Sequence, residues 1–547
     1  MKILKHILPG ILFFMAALGF SFDLWTDRID KDFWIKAEQN AEQARQSFIH
    51  CRDYVRGWLA HADPKSGLIP RNLTRDPFWN AQDAAADNYP FMVLTSALLD
   101  RALFKGKMQE MLKTERKLTS RIGSLPDDYL FASQSFRHNE VDMARIIFGS
   151  SEYVKDGLLP LTEWLGPSPW LDRMLELVDG ILDHADIETP FGRVSATDHE
   201  VAGEMMQVLS RLFWMRKKEE YKKMAFRLAD YFLLHAHPGK QEQLSLDDHG
   251  CEVIGGLSEV YFLAAKTDPK RKTRYQKSFY ELLDRILNIG RNPEGLFYMR
   301  INPVKGEVLR DELTDNWGYD YNAYLTVAMI DSYLPYRTAV RYALENLHKS
   351  QGYIWEGGSA DGYADSIESA LNLLNRMPVD SAFDWVDHEI ATMFAKQQDD
   401  GIIEGWHGDG NFARTALMYA LWKTQGCWID PWRADVSIGA VRVGEELWLC
   451  IDSKWPWKGR LIFDRPRHLE YFHLPADYPR LNQFPEWFIP EKEKRYTLID
   501  EEGGENTFSG EDLWGGIHIH STGGKDQRIR LRITVDNGRS DRSKEKQ

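Results

Sequence analysis

The chain is poor in cysteine: Cys51, Cys251, Cys427 and Cys450 are its only four in 547 residues. None forms a Cys-x-x-Cys pair, so a structural zinc site is not indicated, and the spacing does not choose among the three possible disulfide pairings. Cys251 stands beside Asp248 and His249, where a nucleophilic thiol can be imagined. A buried, inert thiol opening an apolar helix is the commoner arrangement. No His-Glu-x-x-His pattern occurs. Asp247, Asp248, His249, His407 and Asp409 offer oxygen and imidazole ligands without a recognised metal spacing, so neither metal nor cofactor is expected. A long basic run is also missing before the tail, and the formal net charge is −14 with pI about 5.7. Nucleic acid is thereby disfavoured as a partner, because phosphate neutralisation needs clustered Lys and Arg. An anionic sugar is not excluded, since one Arg or Lys reverses the field inside a cleft.

Long apolar runs are likewise missing after the N-terminus. The first 22 residues read as a signal peptide: Lys2 and Lys5 carry the charge, residues 7–20 are apolar, and Gly19 and Ser21 lie near a cleavage point. The run is short for a spanning helix, and no lipid-bearing Cys follows it. The mature protein is therefore expected to be periplasmic or secreted, without stable membrane association after processing.

What is present is a globular composition, 43% apolar and 12% aromatic with 19 Trp. From residue 33 to 423 amphipathic stretches (34–61, 170–184, 221–235, 274–289, 336–348, 384–397) alternate with more apolar ones (89–103, 141–154, 201–215, 251–265, 319–333, 364–375, 412–423). Such alternation is the mark of repeated αα-hairpins. Polar clusters stand before the apolar helices, which would put them at one mouth of a ring and favours closure over an open superhelix. Near residue 430 the texture changes to short β-forming runs, 469–474 among them, punctuated by Pro and Gly; residues 528–535 alternate strictly. The expected organisation is a signal peptide at 1–22 and a mainly α toroid, (α/α)6-like or (α/α)7, at 23–428. A small β-sandwich follows at 429–537, then a charged disordered tail at 538–547.

The clusters before the apolar helices include Asp83 with Asp87, Asp198-His199, Asp247-Asp248-His249-Gly250, Asp315-Asn316-Trp317-Gly318-Tyr319, Asp361-Gly362-Tyr363 and Trp406-His407-Gly408-Asp409-Gly410-Asn411. Asp, Ser and Thr at these places serve as helix caps. Caps need no Trp, Tyr, His and Gly beside them, whereas a sugar-binding surface uses aromatic faces for stacking and carboxylates or imidazoles for hydroxyls and protons. Asp248 and Asp361 lead as acid and base, with Asp198, Asp409 and His249 as further catalytic candidates. Asp87, His199, Trp317, Tyr319, Tyr363, Trp406, His407, Asn411 and Arg414 are the expected substrate-binding residues, with Glu404 in reserve among the carboxylates.

On the motifs Asp361-Gly-Tyr-Ala-Asp365-Ser-Ile-Glu368 and Gly405-Trp-His-Gly-Asp409-Gly-Asn-Phe-Ala-Arg414, and on its architecture, the chain resembles the α/α-toroid carbohydrate-active enzymes. These are uronic-acid glycoside hydrolases and polysaccharide lyases that often carry a C-terminal β domain. The resemblance implies a glycoside hydrolase acting on a uronic-acid-containing oligo- or polysaccharide. The alternatives are a lyase using Tyr319, Tyr363, His249 or His407 as acid or base with Arg414 or Asn411 on the uronate, and a non-catalytic glycan-binding protein. The carboxylate-rich mouth argues against the last, because stacking alone needs no carboxylates.

Overall fold

The computed structural model describes residues 8–75, 77–524 and 528–536, with side chains from residue 30 onward. The expected signal peptide at 1–22 has no described side chains, and the 538–547 tail lies outside the described residues. Among the described residues no helix is long and apolar enough to cross a membrane. The chain divides into a helical unit, Ser47–Tyr419 with Arg465–Glu486, and a second unit made of Met1–Gln46, Ala420–Asp464 and Trp487–Gln547.

The helical unit is an α/α toroid. Its outer helices each bury one stripe: α1 (Leu8–Ala60, from residue 47), α2 (Gln109–Thr119), α3 (Pro169–Asp183), α4 (Glu219–Leu234), α5 (Pro269–Ile289), α6 (Leu334–Asn346) and α7 (Asp380–Phe394). Proline in the first turn and a capping side chain start several of them. Ser168 accepts from the Leu171 N–H before α3, and Asp268 from the Arg271 N–H before α5. The inner segments are buried nearly all round, as their apolar composition predicts. They comprise Ala81–Asn88 running into α8 (Tyr89–Leu99), α9 (Met143–Glu152) continuing through Tyr153–Leu158, α10 (His199–Arg216), α11 (Cys251–Thr267), α12 (Trp317–Asp331), α13 (Ala360–Leu374) and α14 (Asn411–Lys423, up to residue 419). The ring closes where Ser47 Oγ donates to the Ala416 carbonyl at 2.5 Å and Thr415 Oγ1 to Ala364 at 3.0 Å. Among the described residues, seven inner and seven outer segments make the (α/α)7 form of the expected fold. Glycine sets the closest crossing: a Cβ on Gly203 of α10 would lie 2.3 Å from the Glu252 backbone of α11. Glu204 and Glu252 are thereby brought close together.

The second unit holds two antiparallel sheets. With strands β1 (Cys427–Asp430), β2 (Val436–Val443), β3 (Glu446–Ser453), β4 (Trp457–Phe463), β5 (Arg495–Asp500), β6 (Glu505–Ser509), β7 (Ile517–Ser521) and β8 (Ile529–Val535), the orders are β1-β4-β7 and β2-β3-β8-β5-β6. Ile429, Leu461, Ile438, Leu449 and Ile533 from both sheets join one apolar core, which makes a sandwich. The strict alternation in β8 is realised: Leu531 and Ile533 face that core, while Arg530 and Arg532 pair with Glu38 and Glu446.

One expectation fails here. Residues 469–474 form no strand; the segment 465–486 leaves the sandwich sequence and packs wholly within the helical unit. Its prolines at 475, 479 and 485 cannot donate to a ladder, and its polar groups are spent on the helices. Arg480 Nη2 bonds Glu163 at 2.6 Å, Tyr478 donates to Glu259 at 2.7 Å, and Asp477 pairs with Arg376 at 2.7 Å. Leu481 packs on Cys251 and Tyr319, so this segment plugs the ring.

Candidate active site

A cavity of about 630 Å³ opens in the helical unit, a size that holds a small oligosaccharide segment. Its lining comes from the N-terminal ends of inner segments and, at Glu152 and Asp156, from the end of α9 and the Tyr153–Leu158 continuation, and the Gly401–Asn411 turn helps to shape it. That turn is fixed by Gly408 N–H donating to Arg71 O at 2.7 Å and by Gly410, where a Cβ would sit 1.7 Å from the Asp87 carbonyl.

Of the residues expected from sequence, the cavity gathers Asp87, Asp248, His249, Tyr319, Asp361, Trp406, His407, Asp409, Asn411 and Arg414. Four others do not line it. Asp198 caps α10 by accepting from the Val201 N–H at 2.9 Å, the plain capping role. His199 packs its ring against Phe232, 5.6 Å between centroids. Trp317 is fully buried and donates to Ser366 Oγ at 3.0 Å, because the first turn of α12 points it into the core. Tyr363 donates to the Tyr353 carbonyl under the Lys396 ammonium. Cys251 is buried, and burial raises its thiol well above the usual range, so it is no nucleophile. All four cysteines are free and buried.

Sequence reasoning missed several lining groups: Glu152, Lys155, Asp156, Glu204, Glu252, Glu356 and Asn482. Acidic side chains at positions buried on the inner helices, such as Glu204 and Glu252, were the available signal, since an ionisable group in an all-buried helix needs a purpose. Glu356 lies on a tight turn with φ of 43°, and Asn482 arrives on the plug.

Twelve carboxylates line the cavity against Lys155, Lys396 and Arg414. Arg414 meets Asp365 at 2.6 Å and Glu368 at 2.5 Å, and Tyr319 Oη at 3.1 Å. The Lys155 ammonium is bonded to Asp156 at 2.6 Å and to Glu252. The remaining acids crowd one another. Burial, then Asp361, pushes Asp409 up to about 8; burial and Asp361 push Glu356 to about 7. Asp87 is raised well above the carboxylate range by burial, with Asp156, Asp83 and Asp361 adding to it. Asp409 is buried and its Oδ1 has no hydrogen-bond partner. Asp248 opens its carboxylate to the cavity, 3.3 Å from His249 Nε2, and the surrounding protein mass, with Asp361 adding to it, holds it above the usual carboxylate range although His249 opposes this. His249 adopts φ of 64° and is raised to about 10, chiefly by its bond to Glu200. His407 stands 3.7 Å from Asp83 and 3.8 Å from Asp87, which raise it to about 9 although burial opposes them. Asn411 donates to Asp361 at 2.7 Å. Trp406, 65% exposed at the cavity, has the Arg75 guanidinium 4.2 Å from its ring centroid.

No protein-family model matches the chain, and no curated protein matches it. Among solved structures it is similar to the GH76A α-1,6-mannanase of Salegentibacter sp., at 13% identity over 56% of this chain and 95% of that chain with a TM-score of 0.39. It is also similar to the unsaturated glucuronyl hydrolase of Bacillus sp. GL1, at 13% identity, 52% and 86% coverage and TM-score 0.35. A third similarity is to cellobiose 2-epimerase of Bacillus thermoamylovorans, at 10%, 50% and 84% coverage and TM-score 0.36. At such scores these likenesses assign no chemistry to the chain.

Proposed function

We propose that the cavity hydrolyses a glycosidic bond of an oligo- or polysaccharide, with Asp409 as general acid and Asp248 as the base that activates water. The observation that carries this is Asp409: a buried carboxylic acid, still protonated at neutral pH, with one oxygen free of any partner, beside a cavity that also holds a water-exposed carboxylate. Glycoside hydrolysis needs that division of labour between two carboxyl groups. Asp361, oriented by Asn411, supports the positive charge that grows on the sugar ring, and Trp406 supplies a stacking face.

Elimination is less well supported. Tyr319, its Oη shared between Asp365 and Arg414, is raised well above the phenol range by burial and so makes a poor base. A uronate is also poorly served, because Arg414 and Lys155 each already hold two carboxylates, and Lys396 donates to the Gly358 carbonyl. A neutral glycan fits the charge of the cavity better. Incubation with neutral and uronic-acid oligosaccharides, read by new reducing ends and by ultraviolet absorbance, tests the reading. Reducing ends from a neutral glycan, lost in Asp409→Asn, are expected; an absorbing product would replace hydrolysis by elimination.

A further inference from the structure

We propose that Glu152, Asp156 and Glu204 hold a hard divalent cation, calcium by preference, in the wall of the cavity. The inference stands apart from the hydrolase reading and uses carboxylates that reading leaves without a role. One oxygen from each of the three lies within 4.8 Å of the others. Two oxygens bound to one calcium ion sit at most about 5 Å apart, twice the usual Ca–O distance, so the three fit around a single centre. The donor set is all oxygen, which selects calcium, magnesium or manganese over zinc or copper.

The local sequence builds this arrangement. Glu152 ends α9 and Asp156 follows four residues later in the widened Tyr153–Leu158 turn, so both project to one side. Glu204 comes from α10 at the Gly203 crossing. Asp156 is oriented through one oxygen, Oδ1, which accepts from Lys155 at 2.6 Å and from Asn482 at 2.5 Å. Glu204 is 1% exposed, and its Oε2 is buried with no hydrogen-bond partner. An unpaired buried carboxylate oxygen is costly, and Glu204 is one of the three residues of the cluster.

Charge leads to the same conclusion. The carboxylates in this wall are Glu152, Asp156, Glu200, Glu204 and Glu252, and the cations acting on them are Lys155, His249 and, on Asp156, Arg414. Lys155 satisfies Asp156 and Glu252, and His249 satisfies Glu200 while staying 3.9 Å from Glu152. Among the described residues Glu204 is left with no ion pair, and Glu152 has only the distant one to His249. A divalent ion supplies one; protons shared among the acids are the competing solution.

The test uses the full-length protein, stripped with EDTA and dialysed, then titrated with calcium alone, magnesium alone and manganese alone. Heat of binding and melting temperature are the two readouts. The expected result is one saturable calcium site that raises the melting temperature. Affinity should fall at least roughly tenfold in Glu204→Gln and in Glu152→Gln, and stay unchanged in Glu404→Gln elsewhere on the cavity. Glutamine keeps the shape of a protonated glutamate, so each variant should fold; near-ultraviolet dichroism checks this, and either one suffices. Absence of saturable binding of all three ions up to about 10 mM would overturn the proposal. Calcium binding left intact in the folded variants would do the same. Both results would leave shared protons as the way these acids are kept.

Discussion

The plug and the cavity handle buried carboxylates in opposite ways. At the plug Glu163, Glu259 and Asp477 each meet a guanidinium. Glu163 has Arg480, Glu259 has Arg211 at 2.6 Å, and Asp477 has both Arg376 and Arg480. Burial alone would raise Glu163 and Asp477, yet the arginines hold both below the usual carboxylate range. At the cavity carboxylates outnumber cations, and the same burial drives Asp409, Asp87 and Glu204 upward. Matched pairs of this sort fix a segment in place, because removing one partner strands a buried charge. Unmatched acids keep protons that can be given away, or leave room for a positively charged guest. The first pattern is architecture and the second is chemistry.

Breaking a matched pair should therefore cost the most stability. Arg480→Met strands Glu163, which is 1% exposed, and is expected to destabilise by about 3–5 kcal/mol. Chemical denaturation would read this, and a loss under about 1 kcal/mol would mean that the plug is dispensable. On the unmatched side the expected loss is activity. Asp409→Asn and Asp248→Asn should each lower kcat on a cleaved glycan by roughly two orders of magnitude or more, with normal melting. Asp361→Asn should do the same if its carboxylate supports the ring charge. A variant within a few-fold of the parent would remove that residue from the proposed machinery.

The toroid was legible because it is written in periodicity: charged stripes alternating with all-apolar helices leave few other folds. The joins were legible for a similar reason. Asp409, His407 and Asp361 lie next to helix starts, and a closed ring turns those starts toward one opening. Asp198 and Trp317 satisfied the same local pattern but were claimed by a cap and by the core, a choice made by one helical turn of phase that sequence does not fix. The plug was illegible because residues 465–486 interrupt a strand-rich region and carry the same Pro-rich texture as its loops. Their fit to Glu163, Glu259 and Arg376 is a long-range fact. Glu152, Asp156 and Glu204 were overlooked since acids on buried helices read, one at a time, as imperfect packing.

The pH dependence sharpens the comparison further. Asp409 holds its proton to about 8 in the folded protein but loses it near 3.8 when unfolded. His249 and His407 are raised from 6.5 to about 10 and about 9. All three bind more protons folded than unfolded, so their contribution is complete at low pH and is lost as pH rises through the folded values. Between pH 6.5 and 9 stability should fall by up to about 1.4 kcal/mol per pH unit for each excess proton, less for the exposed and solvent-screened His249, and the melting temperature should fall with it. Asp409→Asn, which mimics the protonated acid, should flatten the slope, whereas Arg480→Met should not. Activity should decline above pH 8 as the general acid empties.

The smallest effect belongs to Trp406. Trp406 is 65% exposed and meets the rest of the protein through cation contacts from Arg71 and Arg75, so Trp406→Ala should leave the melting temperature within about 1 °C of the parent. A stacking face contributes to holding a sugar in ground state and transition state alike, so KM should rise about three- to tenfold with kcat little changed. Arg75, whose guanidinium now covers that ring, should swing aside when a sugar takes its place, so Arg75→Ala should lower KM or leave it unchanged. A fall in kcat for Trp406→Ala with KM constant would instead put the ring at the reacting bond, and an unchanged KM would move the stacking face elsewhere on the cavity wall.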